Sequence, residues 1–176
     1  MNWSLIGMRG AGKSHWGRLW AESVGASFFD LDDEIEKRLG CSIESMVTEK
    51  GWPYFRGVES TILRELLGEY SDNAIISNGG GVVESEENRR LLRNWGRVLW
   101  VKVSLPELER RVAREGRRPS LTGADPVAEL AKVFYARREL YEALADCIIE
   151  PENRDPQEVL NELEQLWELL PADKLR

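Results

Sequence analysis

The sequence predicts an α/β fold, a parallel sheet covered by helices on both faces. Three observations carry that expectation. Short apolar runs of strand length alternate with longer stretches of helical periodicity. A glycine-rich loop follows the first run directly and opens a helical pattern. The chain has 176 residues, 42% of them hydrophobic and 31% charged, which suits one domain able to bury a core.

Five runs read as strands: Trp3 to Ile6, Ser27 to Phe29, Ala74 to Ile76, Val98 to Val103 and Cys147 to Ile149. Right-handed crossovers are expected to join them. A helix from Trp16 to Val24 follows the first run. Residues 31 to 70 hold only helical pattern and read as an insertion between the second and third strands. Within it, Phe55-Arg56-Gly57-Val58-Glu59 opens a helix that runs to about Leu67. Residues 115 to 125 combine glycine, proline and arginine without periodicity, which is loop chemistry and a candidate lid. A helix from about Pro126 to Leu144 carries the apolar stripe Val127, Leu130, Phe134, Tyr141 and Leu144. The last helix is expected to start near Pro156 and bury Val159, Leu160, Leu163, Leu166, Trp167 and Leu170.

Composition excludes several classes of function. The chain carries 24 basic and 31 acidic side chains, a net charge of −7, so nothing suits it to a nucleic-acid backbone. No apolar run approaches the roughly 20 residues that span a bilayer. The first residues lack the basic start and long apolar stretch of a signal peptide. Cys41 and Cys147 lie far apart and are expected to be free thiols in a reducing cytoplasm. His15 is the single histidine, which excludes a histidine-rich metal site. The seven tryptophans are expected to serve packing.

Gly7-Met8-Arg9-Gly10-Ala11-Gly12-Lys13-Ser14 fits the pattern G-x-x-x-x-G-K-[ST]. Glycines there let the N–H groups of Gly10, Ala11 and Gly12 turn inward around phosphate oxygens. Lys13 reaches the outer phosphates, and the Ser14 hydroxyl suits Mg²⁺. The helix amino terminus adds favourable partial charge. His15, next in the chain, is near enough to count among the nucleotide-binding residues, although a first-turn residue facing solvent or a neighbouring helix is the simpler expectation. The loop alone does not distinguish a kinase from an NTPase or a switch.

Asp30-Leu31-Asp32 lies just past the second run, where alternate residues point the same way and ligands bind in parallel sheets. One carboxylate there could hold the magnesium shell and the other take a proton from a substrate hydroxyl. Helix capping accounts for one aspartate among Asp30, Asp32 and Asp33, but does not explain Asp30 in its apolar context. Arg56 and Glu59, three apart, share a helix face, and a surface ion pair is the simplest expectation. Arg137 fills the slot missing from its helix's apolar stripe, so it needs an internal carboxylate or a bound anion unless it snorkels outward. Gly79-Gly80-Gly81 ends the third strand and permits close backbone approach.

Together these motifs resemble the shikimate kinase family over nearly the whole chain. The resemblance rests on the loop Gly7 to Ser14, the pair Asp30 and Asp32, and the F-R-x-x-E motif Phe55, Arg56 and Glu59. It rests also on Gly79-Gly80-Gly81, on Arg118-Pro119 in the lid, and on the R-x-x-L-Y motif Arg137, Leu140 and Tyr141. It implies a P-loop kinase fold of five parallel strands in a single domain, 1–176. Within it, residues 31–60 would bind shikimate and residues 112–124 would form the lid. It implies transfer of a phosphoryl group from ATP, with Mg²⁺, to the 3-hydroxyl of shikimate, on the pathway to chorismate and aromatic amino acids. The implied catalytic residues are Lys13, Asp32 as base, and Arg118 reaching the transferring phosphate. Arg56 and Arg137 would clamp the substrate carboxylate, with Asp32 on its hydroxyls and Gly79, Gly80 and Gly81 beside it. Asp30 would orient water on Mg²⁺, and Arg111 and Pro156 would flank the adenine. A cytoplasmic monomer without nucleic-acid or membrane partners is expected. The sequence departs from the family pattern at Ser120, where leucine is usual, and at His15, where threonine is usual; neither change removes a catalytic group.

Overall fold

The structure, a computed structural model, describes residues 1–115 and 126–169. Five strands, β1 (Asn2–Ile6), β2 (Ser27–Asp30), β3 (Ala74–Ser77), β4 (Arg97–Val101) and β5 (Cys147–Ile149), form one sheet. All pairs are parallel, in the order β2-β3-β1-β4-β5. The expected runs are therefore the observed strands, shifted by a residue or two at their ends. Val103, expected within the fourth strand, lies buried just beyond it. The central strand β1 is buried along its whole length. The chain turns to one side of β1 through β3 and to the other through β4. The carboxyl end of β1 is thus a switch point, where open α/β sheets leave a crevice.

Among the described residues seven helices pack around the sheet: α1 (Lys13–Val24), α2 (Leu31–Leu39), α3 (Ile43–Glu69), α4 (Glu86–Trp95), α5 (Leu105–Glu115), α6 (Pro126–Leu144) and α7 (Pro156–Leu169). A 3₁₀ turn, Val82–Glu84, follows the triple glycine. The insertion is α2 and α3. Its second helix begins well before Phe55, because α3 starts at Ile43 and breaks only at Gly51, whose φ of 80° and ψ of 168° are not helical. Helix resumes at once with Trp52 and Pro53, and proline is tolerated in a first turn, where its missing N–H has no helical partner. The insertion is thereby bent, and Phe55 sits one turn past the bend.

Burial follows the periodicity. Val159 and Leu163 of α7 are fully buried and Leu166 and Trp167 pack against the core, whereas Leu160, expected in the same stripe, is only half-buried, and Leu170 lies outside the described residues. Trp3 of β1, Trp20 of α1 and Trp167 of α7 meet in series, with ring centres 5.0 and 5.9 Å apart. These three tryptophans fix α1 and α7 to one face of the sheet, which is the packing role expected of them. Residues 112–115 of the expected lid are the last turn of α5. The rest of the lid, with Arg118 and Ser120, lies outside the described residues. Cys41 is exposed and Cys147 half-buried, both unbridged. Among the described residues no helix is long and apolar enough to cross a membrane.

Candidate active site

The glycine-rich loop leaves β1 at the switch point and becomes α1. Gly10 and Gly12 take φ of 78° and 89°, the left-handed region that glycine reaches without strain. Gly12 stands at the amino end of α1 without a side-chain cap, and the first turn of α1 has no acidic residue. The contrast with its neighbours is informative, since α2, α3 and α4 are capped by Asp30, Ser42 and Ser85. The amino end of α1 therefore keeps its N–H groups for an anion. Ala11 is buried beneath the loop, and its N–H bonds the Met8 carbonyl. Lys13 is only 8% exposed, and its Nζ donates to the carbonyls of Gly7 and Met8 at 3.0 and 2.9 Å. The ammonium is thus held along the loop.

Ser14 Oγ donates to Asp30 Oδ2 at 2.5 Å and lies 3.3 Å from Ser77 Oγ at the end of β3. The other oxygen of Asp30 accepts from the backbone N–H groups of Asp32 and Asp33. Asp30 is therefore the cap of α2, a role the sequence had not assigned to it. One carboxylate both ends a strand, starts a helix and reaches the phosphate loop. Burial and the neighbouring Asp30 push the Asp33 carboxyl above its ordinary range, a sign of how closely the acidic residues are set. No group of three His, Cys, Asp or Glu side chains suited to a metal exists among the described residues. Ser14 and Asp30 can supply only a hydroxyl and an outer carboxylate. That set suits Mg²⁺, which keeps waters and takes phosphate oxygens rather than an all-protein cage. Around the loop lies a cavity of about 360 Å³, lined by Gly10, Gly12, Lys13, Ser14 and His15 and by Asp30 and Asp32. His15 is exposed there, edge-on to Trp16 at 5.1 Å.

A second cavity, of about 290 Å³, lies between the insertion and the triple glycine. Arg56 of α3 and Arg137 of α6 both line it. Arg56 Nη1 donates to both oxygens of Glu59, at 2.9 and 2.8 Å. This is no surface pair, because Glu59 is 1% exposed. Burial pushes its carboxyl up, and Arg56 opposes that shift. The guanidinium of Arg56 also lies 5.4 Å from the Trp52 ring centre and 5.2 Å from that of Phe55. Arg137 does occupy the inward slot of its helix, at 6% exposure, and its Nε donates to Glu84 Oε1 at 2.9 Å. Its anion in this structure is thus an internal carboxylate.

The triple glycine lets side chains come close to the backbone. A Cβ on Gly79 would lie 2.8 Å from Glu59 Oε1 and 3.0 Å from Asp32 Oδ1. A Cβ on Gly81 would lie 2.0 Å from Arg56 Nη2. On Gly80 it would face the Arg9 backbone nitrogen at 3.2 Å and Arg137 Nη1 at 3.5 Å. Each glycine thus admits charged groups over its backbone, which is the close approach expected. The Tyr141 hydroxyl donates to the Gly80 carbonyl at 2.5 Å, and its ring stacks on Trp100 at 5.7 Å. Burial pushes that hydroxyl's pKa well up, so it remains a proton donor.

Arg9, Asp32, Gly79 and Gly80 line both cavities. Asp32 therefore stands at the junction of the two cavities. Arg111 and Pro156 line neither cavity. Arg111 Nη1 donates to the Gly10 carbonyl at 3.0 Å and its Nε to Glu107 at 2.6 Å, while Pro156 is exposed at the start of α7. Sequence reasoning gave no individual role to several lining or supporting residues, among them Arg9, Trp52, Ser77 and Glu84. Arg9 occupies a free position of the loop pattern, and a charge there was the one available signal. Ser77 follows from a strand one residue longer than expected. Nothing in the sequence marks Glu84 among its acidic neighbours.

The model of the shikimate kinase family matches residues 9–168. A shikimate kinase of Pseudomonas syringae is 40% identical over 171 residues, covering 97% of this chain and 98% of its own length. One from Chromohalobacter salexigens is 40% identical, covering 90% and 87%. Among solved structures, the shikimate kinase of Acinetobacter baumannii in complex with shikimate superposes with a TM-score of 0.87 at 30% identity, over 99% of this chain and 95% of that one. Deoxyadenosine kinase of M. mycoides, at 12% identity and a TM-score of 0.60, shares the fold alone.

Proposed function

The chain belongs to the shikimate kinase family, and we propose from that premise a division of labour among its residues. The enzyme transfers a phosphoryl group from ATP, with Mg²⁺, to the 3-hydroxyl of shikimate, a step toward chorismate and the aromatic amino acids. One observation carries the assignment of parts: Asp32 lines both the phosphate-loop cavity and the cavity that holds Arg56 and Arg137.

Arg56 and Arg137 hold the shikimate carboxylate, each by charge-assisted hydrogen bonds of typically about 1.5–3 kcal/mol. Held by that end, the ring directs a hydroxyl toward Asp32. Asp32 accepts the hydroxyl proton as the oxygen bonds the γ-phosphorus and the bond to ADP breaks. Gly79, Gly80 and Gly81 bring backbone to the substrate, and Gly80 is held in place by Tyr141. Lys13 leaves the loop carbonyls for the phosphates, which the N–H groups of Gly10 and Gly12 and the uncapped amino end of α1 cradle, while the Ala11 N–H stays on the Met8 carbonyl and holds the turn of the loop. Ser14 and, through water, Asp30 would hold Mg²⁺, whose charge offsets that of the phosphates. His15, Arg111 and Pro156 flank the nucleotide, and Arg118 completes the charge on the transferring group from a lid at 112–124. Residues 31–60 form the shikimate-binding part of a single domain, 1–176. One chain supplies both cavities, so a monomer suffices. Two unbridged cysteines and the absence of a membrane-crossing helix among the described residues favour a cytoplasmic enzyme.

The test is a coupled ADP-release assay with ATP and Mg²⁺, comparing shikimate with quinate and gluconate. ADP release that requires shikimate supports the assignment. Protein that binds ATP yet releases ADP equally with gluconate would mean that Arg56 and Arg137 hold a different acid.

A further inference from the structure

Glu84 ends the 3₁₀ turn that follows the triple glycine, and its carboxylate faces both arginines of the second cavity. Its Oε1 accepts from Arg137 Nε at 2.9 Å, and its Oε2 lies 3.6 Å from Arg56 Nε. The two arginines come from helices far apart in the chain, α3 and α6, and this one side chain spans them. Glu84 does not line the cavity, whereas both arginines do. It therefore meets the guanidinium groups at their Nε edges and from behind.

The second partner of Arg56 is arranged differently. Glu59 takes Nη1 of Arg56, is buried, and itself lines the cavity. Glu84 is half exposed, with 48% of its side chain open to solvent. Water screens its charge, so it weakens the positive field of the cavity less than a buried carboxylate would. Its hydrogen bond to Arg137 still fixes the torsions of that side chain. An arginine without such a partner keeps rotamer freedom that substrate binding would otherwise have to remove.

We propose that Glu84 is a positioning residue for shikimate binding: by spanning Arg56 and Arg137 it sets their separation for one planar carboxylate before the substrate arrives. The proposal rests on the reading of these arginines as the carboxylate clamp. It gives the 3₁₀ turn a purpose beyond ending the glycine run, since the turn delivers Glu84 to the outer side of the clamp. Glu84 acts through the arginines and touches no reacting atom.

The test varies shikimate and ATP separately in steady-state kinetics of Glu84→Ala, Glu84→Gln and, as the control, Arg137→Ala, with a thermal melt of each. Glu84→Ala should raise the shikimate Michaelis constant about three- to fivefold, the scale of a half-exposed ion pair. Turnover at saturation and the ATP constant should move far less. Glu84→Gln keeps an acceptor for Arg137 Nε and should fall between wild type and Glu84→Ala. An unchanged shikimate constant in Glu84→Ala, beside a raised one in Arg137→Ala, overturns the proposal and leaves the clamp standing. A lowered constant also overturns it, because Glu84 would then compete with the substrate for the arginines. Equal changes in both Michaelis constants, with a lower melting temperature, mean a general structural role and overturn it too. An unchanged shikimate constant in Arg137→Ala removes the clamp itself and the proposal with it.

Discussion

The phosphate loop and the arginine clamp lie side by side at the end of one sheet, yet they are built in opposite ways. The loop is eight consecutive residues whose working groups are mostly backbone N–H donors, ordered by glycines and by an uncapped helix end. The clamp is made of side-chain charges from α3, α6 and the segment after β3, and each charge is held by another. The loop depends on conformation and the clamp on pairing. Asp32 belongs to both, because it lines both cavities.

The largest expected effect falls at that shared residue. Asp32→Asn keeps the shape of the side chain and removes its ability to take a proton. Turnover should fall about 10²- to 10⁴-fold, the usual scale for a positioned general base. The ATP Michaelis constant should stay within about twofold, since the loop's own donors remain. The check is steady-state kinetics in both substrates. A large rise in the ATP constant would show that Asp32 serves the loop rather than the chemistry, and the boundary between the two regions would move.

Legibility in the sequence followed the same division. The loop was readable because its requirements are contiguous: glycine, lysine and serine at fixed steps after a strand. The clamp was readable only in pieces. Arg137 showed itself as a gap in an apolar stripe, and Gly79 to Gly81 as a glycine run, but neither pattern names a partner. Glu84 had no signal, since its pairing with Arg137 and Arg56 depends on how α3 and α6 approach the sheet. Asp30 was misjudged as no cap because the strand was read one residue short, and a strand-ending residue that also starts a helix leaves no loop to signal the change. The start of the helix at Phe55 was misplaced for a related reason. The positive φ at Gly51 bends one long helical segment, which its periodicity alone does not show.

Glycine substitutions sharpen the comparison at an intermediate scale. In Gly81→Ala the new Cβ would lie 2.0 Å from Arg56 Nη2, which is the mobile end of a side chain. Arg56 should yield rather than the backbone, and the shikimate Michaelis constant should rise about tenfold, equivalent to one lost charge-assisted contact. The ATP constant should hardly change. In Gly12→Ala the residue keeps a φ of 89°, which costs about 1–2 kcal/mol for an L side chain. Relief of that strain moves the loop, so the ATP constant should rise instead. Measuring both constants for both variants tests whether the regions are separable. A Gly81→Ala enzyme that loses ATP affinity equally would show that they are mechanically one.

The smallest expected effect concerns the link between α5 and the loop. Glu107 accepts from Arg110 Nε and Nη2 and from Arg111 Nε, each at 2.6 Å, and Arg111 in turn donates to the Gly10 carbonyl. The hydrogen bonds from Arg110 and then Arg111 hold the Glu107 carboxyl down at about 2, against an ordinary value of 4.5. A carboxyl lowered in the folded state stabilises the fold above its ordinary value, and that contribution is lost as pH falls toward 2. Across the neutral range the tether therefore does not titrate. Glu107→Gln should raise the ATP Michaelis constant about twofold, by an equal factor from roughly pH 6 to 9. In urea unfolding, the stability gap between wild type and Glu107→Gln should close as pH falls through 4.5 toward 2. A twofold factor that changes across the neutral range would place control of Arg111 with a different titrating group. The loop would then rely on side-chain pairing as the clamp does, and the contrast between the two regions would fail at its weakest point.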